Sequence, residues 1–220
     1  MHRLRLMGAA GGALFSALVV IAFVIAQGPS SARGDTVVAY YSEHGTAVAW
    51  QAAIVGVAIV FFIWFAETFA TRTSAGALTV VGAAVTAALY LVAIGCWESL
   101  GETFNGRDAL DVSREDYGDA HFLYDAGVGA THMAHFTTAA YVGSTAVVIL
   151  ASHASWRWLG WLGVAFAPVC LLEAIVGLGS QSGWSDAIDT LVFLGFLVWV
   201  FLVSVWLVRV IRRREVASQD

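Results

Sequence analysis

The sequence predicts an all-α protein, a polytopic membrane bundle of six transmembrane helices with both termini cytoplasmic. Three observations predict it. Hydrophobic residues make up 59% of the 220 and charged residues only 12%, against about 45–50% and about 25% in soluble domains. Six stretches reach the roughly 20 mostly apolar residues that a spanning helix needs. The arginines alternate from side to side as the positive-inside rule requires.

The six segments run roughly over 7–27, 46–69, 75–97, 126–151, 158–179 and 187–210, within one transmembrane domain covering 1–220. The first follows Arg3 and Arg5, and Val24-x-Ala26 resembles a cleavage site. Its apolar run exceeds the 7–15 residues of a signal core, so a retained helix is expected. With the N-terminus inside, the cytoplasmic side holds Arg3, Arg5, Arg72, Arg157, Arg209, Arg212, Arg213 and Arg214, and the other side only Arg33, Arg107 and Arg114. Aromatic residues cap the spans at both ends, as interfacial rings do. Reporter fusions at Arg72, Arg157 and the C-terminus are therefore expected to read as cytoplasmic, and fusions within 108–119 as external. A cytoplasmic signal from 108–119 would overturn this topology.

Two connections are long. The first, 28–45, carries Pro29 and then Asp35 to His44, which reads as an interfacial helix. The second, 98–125, is an acidic extracytoplasmic loop with Glu98, Glu102, Asp108, Asp111, Glu115, Asp116, Asp119 and Asp125, expected to be solvated. Within it Ser113-x-x-Asp116 reads as a helix start in the manner of a capping box, so the chain is expected to turn helical there and run on into the fourth span.

Three short motifs carry a family resemblance: Tyr40-Tyr41-Ser42-Glu43-His44 after the first span, Leu123-Tyr124-Asp125-Ala126-Gly127 entering the fourth, and Arg157-Trp158-Leu159-Gly160-Trp161-Leu162-Gly163 entering the fifth. With the basic tail, they make nearly the whole chain resemble a class of small uncharacterised bacterial six-helix membrane proteins, a domain of unknown function. The acidic loop is longer here than in that pattern. The resemblance implies the six-span topology and placement in a bacterial inner (plasma) membrane. It implies no substrate, cofactor or catalytic residue.

Ionisable side chains inside a bilayer are costly and are functional candidates by default. In the fourth span, His121, Asp125, His132 and His135 fall within about an 80° arc at 100° per residue, and His132 lies about 9 Å inside the outer boundary, His135 about 13 Å. Gly127 and Gly129 leave room for close approach beside them. Glu173 in the fifth span also counts to about 9 Å deep. A carboxylate in hydrocarbon needs a partner or a proton, so His132 and Glu173 are expected to face each other across consecutive antiparallel helices. Glu98, Glu102, Asp186 and Asp189 are expected at the outer rim above them, completing a polar funnel lined by the third to sixth spans. Glu67 is expected to reach the inner interface, solvated or paired with Arg72.

The motifs name no reaction. Walker A, GxSxG, Rossmann glycine and EF-hand patterns are absent, as are HExxH and HxxxH. Cys96 and Cys170 form no CxxC pair, so neither a disulfide framework nor a structural zinc site is expected. No cofactor is predicted, and a divalent metal at His132, His135 and Glu173 is left as an open alternative, since imidazole and carboxylate suit zinc. The net charge of −5 comes without the basic patch that nucleic-acid binding needs. The expected partners are the lipid bilayer and a second copy or another membrane protein. The basic tail from Arg209 to Arg214 suits anionic lipid. Three function classes follow: a small transporter or proton-linked permease, a non-catalytic membrane accessory protein, and, as the alternative, a membrane-embedded metalloenzyme.

Overall fold

In a computed structural model, the structure describes residues 2–29, 31–73, 75–107, 112–152, 156–179 and 183–216, apart from the side chains at 2–3, 178–179, 183–187 and 214–216. Among them are six helices and no strand: α1 (His2–Ile25), α2 (Gly34–Thr73), α3 (Ala77–Phe104), α4 (Arg114–Ala151), α5 (Arg157–Gly179) and α6 (Gly183–Val216). Each contains a window long and apolar enough to cross a membrane. The protein is therefore a multi-pass integral membrane protein.

Several helices are longer than the hydropathy predicts. The segment 28–45 is not a loop with a separate interfacial helix: from Gly34 onward it forms the first turns of α2, which has 40 residues. At 1.5 Å per residue that is about 60 Å, twice the hydrocarbon thickness of about 30 Å. The acidic stretch is likewise helical at both ends. α3 continues to Phe104, and α4 begins at Arg114. The reciprocal cap foreseen from the sequence starts α4: the Ser113 amide donates to Asp116 Oδ2 at 2.8 Å, and the Asp116 amide donates to Ser113 Oγ at 3.2 Å. Asp116 replaces the usual Glu or Gln and does the same work on the free amides of the first turn. Glu115 and Asp119 are exposed, whereas Asp108 and Asp111 lie outside the described residues.

The chain divides into two compact units. The first comprises Met1–Ala17, Ala58–Ala87 and His132–Asp220. Its centre is aromatic: the Phe62 ring lies 4.8 Å from Phe15, 5.3 Å from Tyr141 and 5.8 Å from Phe196, centroid to centroid. Without a hydrophobic drive between helices in lipid, hydroxyl groups and close packing supply the specificity. Ser204 Oγ donates to the Ala9 carbonyl at 2.6 Å and Ser16 Oγ to the Leu197 carbonyl at 2.9 Å, tying α1 to α6. Thr79 bonds Ser144 at 2.9 Å and Thr86 bonds Thr137 at 2.7 Å, tying α3 to α4. The Arg209 guanidinium stacks over the Trp156 ring at 4.9 Å, so at least this tail arginine is held by cation–π attraction. Glu67 is exposed.

The second unit comprises Leu18–Val57 and Ala88–Thr131. Val37, Val38, Tyr41, Val48, Leu100, Phe104 and Ala120 form its buried core. At Gly45, α2 meets α3 so closely that a Cβ would stand 2.7 Å from the Gly101 carbonyl oxygen. Gln51 Nε2 donates to the Ala26 carbonyl at 2.8 Å, satisfying a group beyond the end of α1.

Candidate functional site

The site lies in the first unit, on α4, α5 and α6. Each helix brings its polar residue inward by simple periodicity. On α5, Glu173 and Ala174 are buried while Leu172 and Ile175 face outward, 67% and 61% exposed. On α4, His132 and His135 stand one turn apart on one face, and Met133 between them points out. Pro168 removes one amide from the α5 ladder five residues before Glu173.

Glu173 is 3% exposed and His135 1%. The carboxylate is shared by both imidazoles: His132 Nδ1 bonds Oε1 at 3.1 Å, and His135 Nδ1 bonds Oε2. The expected His132–Glu173 contact is therefore present, and His135 joins it. The two oxygens of one carboxylate span the one-turn offset between the rings. On the far side of His135, Nε2 is buried, makes no hydrogen bond, and faces Asp189 Oδ1 at 3.6 Å. Ligating atoms of His132, His135, Glu173 and Asp189 all lie within 4.8 Å of one another.

Asp189 was expected at the outer rim above the histidines. α6 begins at Gly183, so Asp189 is about 9 Å along the helix, where its Oδ1 stands 3.6 Å from His135 Nε2. The side chain of Asp186 lies outside the described residues. The other acidic candidates belong to the second unit. There Asp125 pairs with His121 at 3.4 Å, and His121 Nδ1 also bonds the Ala32 carbonyl at 2.7 Å. Glu98 is half-buried and Glu102 exposed.

Two features of the site escaped sequence reasoning. One is Gly177, a turn after Glu173. A Cβ there would collide with the His132 imidazole and stand 2.9 Å from Glu173 Oε1. The signal was available: a glycine four residues after an intramembrane carboxylate shares its helix face and lets a partner side chain approach. The glycines that did draw notice act otherwise. Gly127 accommodates the Trp97 indole, and nothing lies within 4 Å of a Cβ at Gly129. The second is an apolar layer one turn further along the three helices, where Ala139, Cys170 and Val192 are buried together with Phe166 packed on them. It walls the polar cluster on one side. Cys96 and Cys170 are free thiols.

Two imidazoles and two carboxylates in an apolar bundle can hold a cation between them, or knit three helices by hydrogen bonds. No family model matches the chain, and neither a curated protein nor a solved structure matches it.

Proposed function

We propose that this chain is a small membrane permease, and that the His132, His135, Glu173 and Asp189 cluster is where it holds a cation in transit. The observation that carries the reading is Glu173, buried in a membrane-spanning helix and shared by two histidines of the neighbouring helix. Interhelical hydrogen bonds in membranes contribute only about 0.6–2 kcal/mol each. Gluing helices together does not call for a carboxylate, which is costly to bury. Hydroxyl pairs such as Thr79–Ser144 already do that work in this unit. Transporters place their sites between membrane-spanning helices, and this cluster draws on three such helices, α4, α5 and α6.

The test is uptake of mono- and divalent cations into vesicles reconstituted with the purified chain, compared with the Glu173→Gln variant. Uptake above that of empty vesicles, lost in the variant, is the expected result. Vesicles no leakier than protein-free ones to any cation tried, or uptake indifferent to Glu173→Gln, would refute the permease.

A further inference from the structure

We infer that the cluster is a binding site for one first-row divalent transition metal ion of the zinc type, with the Nε2 atoms of His132 and His135 and the Asp189 carboxylate as ligands and Glu173 as the carboxylate that orients both rings. This rests on the permease reading for its biological use, and names the cargo, but the site is argued from geometry alone.

An ionised carboxylate accepts hydrogen bonds and does not donate them, so in the metal-binding form each Nδ1–H donates to Glu173 and Nε2 is the ring nitrogen that faces the metal. Metal-binding histidines are held in this way: the ring nitrogen that does not touch the metal donates to a carboxylate. For His135 the consequence is visible. Its Nε2 is buried without a hydrogen bond and looks at Asp189 Oδ1 across 3.6 Å. Two acceptors at that distance do not attract each other. Two ligands on a tetrahedral ion with bonds of about 2.0–2.2 Å stand about 3.4 Å apart, which is close to the separation found. One potential ligand atom from each of the four residues, counting either nitrogen of each histidine, lies within 4.8 Å of the others, so the group is compact enough to surround a single ion.

The donor types set the class of metal. Calcium and magnesium take all-oxygen shells, and copper(I) takes thiolate or thioether. Imidazole with carboxylate suits zinc, cobalt, nickel and iron. The nearby sulfur atoms are elsewhere: Met133 points outward and Cys170 lies in the apolar layer beneath. Charge also fits. Two carboxylates and one divalent cation sum to zero, so the filled site carries no net charge into a low-dielectric interior.

The experiment uses the full chain, purified through a tag without histidine, stripped with chelator and titrated with Co²⁺. One cobalt per chain is expected, with the intense visible bands of tetrahedral cobalt, and Zn²⁺ should bleach them. Glu173→Gln should weaken binding about 10–100-fold, as loss of an orienting carboxylate does. His135→Ala should weaken it more. Asp189→Cys, at a half-exposed position, should keep cobalt and gain a thiolate-to-cobalt charge-transfer band that the unaltered protein lacks. That band reports ligation directly, even where an alanine variant fails to fold. Absence of visible bands in the unaltered protein, or cobalt bound by Asp189→Cys without the new band, would overturn the site. Cobalt bound but not carried into vesicles would keep the site and remove the permease. Uptake of another cation without bound cobalt would do the reverse.

Discussion

Glu173→Ala is expected to lower metal affinity and stability together. The carboxylate bonds the Nδ1 atoms of two rings at once. Its removal takes that partner from both ring nitrogens inside an apolar bundle. Two interhelical hydrogen bonds at about 0.6–2 kcal/mol each amount to about 1–4 kcal/mol of lost stability. The rings also lose the group that fixes their tautomers, so Co²⁺ affinity should fall by at least the 10–100-fold typical of an orienting partner. Both effects can be read on one sample, by thermal melting of the purified protein with and without added Co²⁺. In the unaltered chain the metal should raise the melting temperature, because a ligand that binds only the folded state stabilises it. In Glu173→Ala that increment should vanish and the metal-free melting temperature should drop. An undiminished cobalt-dependent increment would show that Glu173 does not organise the site.

The second large effect concerns a residue without a side chain. Gly177→Val should cost about 1–3 kcal/mol, the usual range for forcing extra volume into a packed position, and should weaken metal binding as well. The branched side chain would occupy the space of the His132 imidazole and press on Glu173 Oε1, which a Cβ alone would approach to 2.9 Å. His132 would have to leave the carboxylate. The control is Gly129→Ala on α4, where nothing stands within 4 Å of the new carbon. There alanine's better helix propensity, worth up to about 1 kcal/mol over glycine, should leave the protein as stable as before or slightly more so. Melting temperatures and cobalt titrations of the two variants should move in opposite directions or in only one of them. Equal, small changes in both would remove the packing argument for Gly177.

The six spans were legible because lipid leaves so strong a mark on composition. The helix ends were less so. Hydropathy reports where the chain meets hydrocarbon, and a helix does not stop there. The first turns of α2, with Asp35, Glu43 and His44, and of α4, with Glu115, Asp116 and Asp119, are polar yet helical. The Ser113–Asp116 cap gave warning of this for α4, and Asp35 to His44 read as helical, though as a separate interfacial helix rather than the start of α2. The site was half legible for the same reason. Counting depth paired His132 with Glu173, although α4 begins twelve residues before the span assigned to it. Counting left Asp189 above the histidines, whereas in α6, which begins four residues before its assigned span, it stands beside His135. It also kept His135 from Glu173, because a single depth was assigned to a group whose two oxygens reach two levels. Gly177 went unremarked because an absent side chain leaves no polar signature.

X-ray absorption at the zinc edge, on the full chain loaded with one equivalent of Zn²⁺, tests the central claim most directly. The expected spectrum has four nitrogen or oxygen neighbours at about 2.0–2.1 Å, with the outer-shell scattering pattern of two imidazole rings, and the imidazole contribution should fall in His135→Ala. Six oxygen neighbours without imidazole would place the zinc on the acidic stretch between α3 and α4, and a sulfur neighbour at about 2.3 Å would place it at a cysteine. Either result, or a protein that retains no zinc at all, would contradict the assignment of His132, His135, Glu173 and Asp189 as a metal site in the membrane.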